Sequence, residues 1–200
     1  MLSTRFDQAL SYASMIHRIQ VRKGSEIPYI SHLLGFASLT LEFGGNEDQA
    51  IAALLHDAAE DQGGDVRLHD IRVTFGENVE RIVRDCSDSM GAEKPTDAGD
   101  RKIEWRLRKE AYLLTLAKKP ASSLLVSLAD KTHNSEAIVT DVRRSGPGVW
   151  SRFTGEHDGT LWYYQELLKF FSANIPEHLS RLDRAVMEMQ SFPAASSICR

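Results

Sequence analysis

Ala52-Ala-Leu-Leu-His56-Asp57-Ala-Ala-Glu60-Asp61 places four side chains able to hold metals or move protons within six residues of an otherwise apolar run. Such a run reads as a core helix, and a core helix does not bury unpaired charge without compensation. Wound at about 100° per residue, it puts Ile51, Leu54, Leu55 and Ala58 on one side. His56, Asp57 and Glu60 fall on the other with the small Ala53, and Asp61 lies at the edge. Two acids at a helix C-terminus oppose the macrodipole and repel each other, which destabilises the helix unless a cation compensates. The alternative is a solvated polar face at the end of an ordinary helix.

Outward from this run the apolar spacing is helical nearly throughout. A first helix is expected over 3–21, with Phe6, Ala9, Leu10, Ala13 and Ile16 on one face. A second is expected over 31–43, stopping at Gly44-Gly45. Asn46 is a good N-cap for the third, which carries the opening run and ends by Gly63-Gly64. Further helices are expected near 68–75, 78–86, 100–117, 120–142, 161–171 and 177–189, with a polar loop over 87–99 and a Gly/Pro-containing connection over 144–159. There is no internal repeat and no convincing strand pair. The expected fold class is all-α, one domain over 1–192 followed by a flexible tail over 193–200.

The 200 residues suffice for one sizeable core, and 42% hydrophobic with 26% charged residues is ordinary for a globular protein. No apolar run approaches the roughly 20 residues that span a bilayer, and the first residues lack the apolar core of a signal peptide. Cys86 and Cys199 form neither a disulfide framework nor a metal-binding pair. The expected location is the cytoplasm. A formal net charge of −4 argues against a nucleic-acid partner. Positive charge is local instead: Arg101-Lys102-Ile-Glu-Trp-Arg106-Leu-Arg108-Lys109 holds five bases and one acid, and Arg22-Lys23 is a smaller cluster.

Two groups elsewhere complete the opening run. Asp130, in Leu128-Ala-Asp130-Lys-Thr-His-Asn134, projects from a Leu-rich helix with Asn134 one turn later on the same side. An acid in such a place is paired or metal-bound. His32 opens the second helix. His32, His56, Asp57 and Asp130 supply two imidazoles and two carboxylates without a thiolate, a set that suits Mn²⁺ or Fe²⁺, with Zn²⁺ as an alternative. One such ion per chain would acidify a water from a pKa of 15.7 towards about 7. Glu60, one turn from His56, is placed to take or orient its proton, and Asp61 to hold the attacking water. The chemistry this favours is hydrolysis at phosphorus. No Gly-rich phosphate loop and no Ser/His/Asp arrangement supports kinase or serine-hydrolase chemistry. His17, His69, His133, His157 and His178 have no comparable context and read as structural or surface residues.

His, then His-Asp, then a distant Asp resembles the signature of HD-domain metal-dependent phosphohydrolases, which implies an HD-type helical bundle. Arg22-Lys23-Gly-Ser-Glu-Ile-Pro-Tyr29-Ile-Ser-His32, Ala53-Leu-Leu-His56-Asp57-Ala-Ala-Glu60-Asp61 and Leu128-Ala-Asp130-Lys-Thr-His-Asn134 together resemble the hydrolase domain of RelA/SpoT-type proteins, and the free-standing small alarmone hydrolases in particular. The resemblance runs from about Phe6 to Phe171. It implies Mn²⁺ on His32, His56, Asp57 and Asp130, and Glu60 and Asp61 as the residues that activate or position water. It also implies release of the 3′-pyrophosphate of (p)ppGpp to leave GDP or GTP. Arg22 would pack on the purine, Lys23 would lie beside it, and Asn134 would contact the nucleotide. Beside this, the local basicity of the 101–109 segment singles out Arg108 and Lys109 for phosphate contacts. The loop between Lys23 and His32 is shorter than in some relatives, His133 stands where the family often has Tyr or His, and the segment from Trp150 to Tyr164 matches only loosely, which leaves guanine against adenine open. The expected partner is a small-molecule nucleotide, with no nucleic acid and no membrane, for a monomer or homodimer. Alternatives are an HD phosphohydrolase acting as a 5′-nucleotidase or NADPH 2′-phosphatase, or a non-catalytic nucleotide-binding HD module.

Overall fold

The computed structural model describes residues 1–59, 63–86 and 98–194. Among these the architecture is all-α, as expected. The helices are α1 (Thr4–Ile16), α2 (Ile30–Glu42), α3 (Glu47–Leu55), α4 (Gly64–Phe75), α5 (Glu77–Cys86), α6 (Ala98–Leu116), α7 (Ala121–Ser145), α8 (Glu156–Asn174) and α9 (Ser180–Ser191), with 3₁₀ turns at Pro147–Arg152 and Pro176–His178. No helix among the described residues is long and apolar enough to cross a membrane. The expected loop over 87–99 and the expected tail over 193–200 lie outside the described residues except for 98–99 and 193–194, and Glu60, Asp61 and Cys199 lie outside them altogether.

The chain packs as two compact units, one of residues 1–92 with 118–130 and one of residues 93–117 with 131–200. The first is built on α1 to α5 and the start of α7. Its core of Ala9, Ala13, Leu33, Phe36, Ile51, Leu54, Leu55, Leu68, Ile71, Val79 and Val83 is almost wholly withdrawn from solvent, which supplies the main driving force for packing these short helices. α3 starts cleanly because Asn46 and Gln49 form a reciprocal capping box. Gly45 is required where α2 turns into α3, since a Cβ there would meet the Thr40 carbonyl oxygen at 2.7 Å. Gln49 Nε2 donates to the Ser122 carbonyl at 3.0 Å, and Ser123 Oγ donates to Asp85 Oδ2 at 2.6 Å. These bonds hold the first turn of α7 against α3 and α5, and so fix where Asp130 emerges.

In the second unit Trp150, Leu167, Phe171, Leu182 and Met189 form the core. The Arg106 guanidinium lies 3.1 Å above the Trp162 ring, and Arg181 pairs with Glu136 at 2.7 Å.

Several boundaries depart from the sequence expectation, among them the start of α4, at Gly64 rather than near 68. α1 ends at Ile16, not at 21, because Val21 leaves the helix to form an antiparallel bridge with Pro28 around a turn at Gly24, φ +73°. α3 ends at Leu55, with His56 and Asp57 in a turn before helix resumes at Ala58, so the helical wheel drawn through His56 and Asp57 is interrupted at those two residues. α7 runs on to Ser145. α8 begins at Glu156 rather than 161; its first turn carries Glu156 and Asp158, acids that suit a helix N-terminus but break the apolar period.

Candidate metal centre

His32, His56 and Asp130 converge within the first unit. His32 lies in the first turn of α2, His56 in the turn closing α3, and Asp130 on α7. His32 Nε2 stands 3.7 Å from Asp130 Oδ1, and His56 Nε2 stands 3.9 Å from the same oxygen. One ligand atom from each of the three residues lies within 4.8 Å of the others. All three are buried, at 2%, 5% and 6% exposure. Asp57 joins them through His56, whose Nε2 is 2.8 Å from Asp57 Oδ2. Phe36 closes the apolar side, its ring centroid 4.7 Å from that of His56 and 6.0 Å from that of His32.

Local bonding orients the ligands. His56 Nδ1 donates to the Ala53 carbonyl at 3.0 Å, which turns Nε2 toward the two carboxylates, the usual arrangement for a ligating histidine. Burial works against a charged His56, but the charge and hydrogen bond of Asp57, helped by Asp130, outweigh it and raise the imidazole to about 9. His32 goes the other way. Burial, then the positive charge of His56 and a smaller contribution from Arg22, outweigh the two acids and lower it to about 3. Burial opposes ionisation of Asp57, but His56 and the Tyr29 hydroxyl hold its carboxyl well below the usual carboxylate range.

The donor set fits a divalent cation. Ligand atoms about 2.0–2.2 Å from one ion stand roughly 3 to 4.4 Å from one another, which brackets the 3.7 and 3.9 Å separations seen here. His32 is neutral and ready to donate a lone pair. A cation would take the place of the His56 proton as the charge that balances buried Asp130 and half-buried Asp57.

The other expected site residues divide between the units. Arg22 is half-buried and its charge reaches His32, while Lys23 on the same loop is exposed. Glu60 and Asp61 lie outside the described residues. Asn134, Arg108 and Lys109 belong to the second unit. Asn134 is half-buried, and Lys109 Nζ stands 4.8 Å from the Tyr163 ring centroid.

One participant escaped sequence reasoning. The Tyr29 hydroxyl donates to Asp57 Oδ2, and the Tyr29 ring packs against buried His17, 5.2 Å between centroids. The available signal was the position of Tyr29, three residues before His32 in Pro28-Tyr29-Ile-Ser-His32.

Residues 9–161, well over half of the chain, match the HD domain family. Two relatives are the guanosine-3′,5′-bis(diphosphate) 3′-pyrophosphohydrolase MESH1 of Drosophila melanogaster, 30% identical over 75% of this chain and 76% of that protein, and that of Homo sapiens, 32% identical over 72% and 73%. A solved structure described as a metazoan ortholog of SpoT that hydrolyzes ppGpp aligns over 96% of both chains, with a TM-score of 0.70 and 26% identity. A protein of Listeria monocytogenes at 24% identity shares the fold over 80% of this chain and 97% of its own, TM-score 0.62. With the helical bundle and the His/His-Asp/Asp constellation both present, the chain belongs to the HD domain family.

Proposed function

We propose that this protein is a metal-dependent 3′-pyrophosphohydrolase of guanosine alarmones, converting (p)ppGpp into GDP or GTP and pyrophosphate. The observation that carries this reading is the buried His32–His56–Asp130 cluster with Asp57 beside it, followed by Glu60-Asp61, in a chain about 30% identical to 3′-pyrophosphohydrolases over three quarters of its length.

In this reading His32, His56, Asp57 and Asp130 hold one Mn²⁺. The ion would supply a Lewis acid and a nucleophilic water at neutral pH. Glu60 takes a proton from the attacking water and Asp61 orients that water toward the phosphorus next to the ribose 3′-oxygen. The bond between that phosphorus and the 3′-oxygen breaks, the oxygen gains a proton as the nucleotide's 3′-hydroxyl, and pyrophosphate departs. Arg22 packs on the purine with Lys23 beside it. Asn134, Arg108 and Lys109 contact the nucleotide and its phosphates. The domain extends over 1–192, and the substrate is a free nucleotide met in the cytoplasm by a monomer or homodimer.

The test is product analysis after incubation with ppGpp, ppApp and NADPH, with and without Mn²⁺. The expected result is Mn²⁺-dependent formation of pyrophosphate and GDP from ppGpp. Release of orthophosphate alone, or ppGpp left intact beside hydrolysed NADPH, overturns the assignment in favour of another HD phosphohydrolase activity.

A further inference from the structure

Tyr29 stands at the neck of the loop that carries Arg22 and Lys23. Its amide donates to the Gln20 carbonyl at 2.9 Å, the Arg22 amide donates to the Ile27 carbonyl at 2.9 Å, and Val21 bridges to Pro28. The loop is therefore closed by backbone bonds immediately before Tyr29. Its ring is held from two further sides. One is His17, 2% exposed and bonded through Nδ1 to Gln20 Oε1 at 2.6 Å; the other is the His32 ring, 5.5 Å away and edge-on. What the ring presents to Asp57 is its hydroxyl, on the same Oδ2 that faces His56.

A carboxylate rotates readily about its terminal torsion, so a fixed donor on one oxygen decides which way the other lobe faces. Donors of this kind orient ligating carboxylates and are commonly worth 10- to 100-fold in metal affinity. We infer that Tyr29 is a positioning residue: its hydroxyl sets Asp57 for the cation, and its place at the loop neck ties the Arg22–Lys23 loop to the metal ligands. The inference rests on the reading of Asp57 as a ligand and does not depend on which nucleotide is cleaved.

Tyr29→Phe removes one oxygen and keeps the ring packing. Mn²⁺ affinity of the full chain is measured by titration of the free-ion paramagnetic resonance signal, with circular dichroism to check folding. The expected result is Mn²⁺ binding weakened about 10- to 100-fold, with activity at limiting Mn²⁺ recovering as the ion is raised. Tyr12→Phe, which removes a hydroxyl bonded to Arg67 elsewhere in the same unit, is expected to bind Mn²⁺ as the wild type does. Mn²⁺ binding by folded Tyr29→Phe within about twofold of wild type overturns the inference, as does an equal loss in Tyr12→Phe. Since binding is read without nucleotide, a Tyr29-dependent Mn²⁺ site in a chain that leaves ppGpp intact refutes the substrate assignment and keeps this one.

Discussion

His56 Nε2 and Asp57 Oδ2 are 2.8 Å apart, neighbours in sequence whose side chains meet in the turn that closes α3. With the imidazole raised to about 9, His56 carries a proton on Nε2 at neutral pH, and a metal ion needs that lone pair. Mn²⁺ binding at pH 7 is therefore expected to release about one proton, and apparent affinity to climb with pH until about 9 and then level. Calorimetry in buffers of different ionisation enthalpy measures the released proton directly. A binding heat independent of buffer would show that no proton leaves His56 when the ion binds.

The same shifts set how the metal-free protein responds to pH. His56 is raised from 6.5 to about 9, so its contribution to stability is complete below 6.5 and is lost as pH rises through 9. His32 is lowered from 6.5 to about 3, so its contribution is complete above 6.5 and is lost as pH falls toward 3. Asp57, lowered from 3.8, adds a further loss on the acid side. In chelator, denaturation midpoints followed across pH are expected to peak near 6.5, with an alkaline decline that saturating Mn²⁺ removes. An alkaline decline equally steep in His56→Gln would assign it to other groups.

Asp130 Oδ1 faces both histidines, 3.7 Å from His32 Nε2 and 3.9 Å from His56 Nε2. Asp130→Asn keeps its shape and removes its charge. Mn²⁺ affinity and ppGpp hydrolysis are expected to disappear together in Asp130→Asn and in Asp57→Ala, read by equilibrium dialysis and product analysis on the same preparations. Normal hydrolysis by Asp57→Ala would sink the mechanism.

What sequence reasoning could reach follows from where each signal resides. His56 and Asp130 were legible because ionisable groups in apolar helical runs demand a reason, the Leu124–Leu128–Asp130 spacing alone raising the question, whereas His32, which by itself reads as a cap or core residue, was legible only in their company. The α2 and α3 helices were legible from one-sided apolar spacing and the Asn46 cap. The end of α1 was not, since Ile16 to Val21 carries no breaker and the helix stops because Val21 pairs with Pro28 across a loop. The turn at His56 and Asp57 was hidden by the alanines after it, which continue the helical pattern across a two-residue interruption. Tyr29 was invisible as a participant because a tyrosine reads as packing until the loop returns its hydroxyl to Asp57.

Glu60 is assigned to proton transfer and Asp57 to metal binding, although the two are only three residues apart. The assignments separate experimentally. Glu60→Gln is expected to lower kcat by roughly 10²- to 10⁴-fold, the usual contribution of a positioned acid/base, while Mn²⁺ affinity stays within a few-fold of wild type. Metal titration alongside steady-state kinetics measures both. A parallel loss of Mn²⁺ binding would make Glu60 a ligand and leave Asp61 as the remaining proton acceptor.

In the second unit, Gly155 meets the α6 side chain Trp105 more tightly than any other residue could allow. A Cβ at Gly155 would lie 2.5 Å from Trp105 Cη2 and 2.8 Å from Cζ2, whereas at Gly159 the nearest approach is 3.1 Å. Trp105 cannot simply swing away, because its ring also packs on Trp162 and Tyr163, each 6.5 Å between centroids. Glu156, immediately after Gly155, already sits at φ +50°, so the backbone there has little room to adjust. Gly155→Ala is therefore expected to cost about 1–3 kcal/mol, as overpacking does, lowering Tm by roughly 2–12 °C for a chain of this size. Gly159→Ala should cost less. In a double-mutant cycle, Trp105→Leu should reduce the penalty of Gly155→Ala, because the atoms that collide are those at the far edge of the indole. Thermal unfolding of the four proteins decides it: an undiminished Gly155→Ala penalty in the Trp105→Leu background would place the cost in the backbone at Gly155 and not in the indole packed against it.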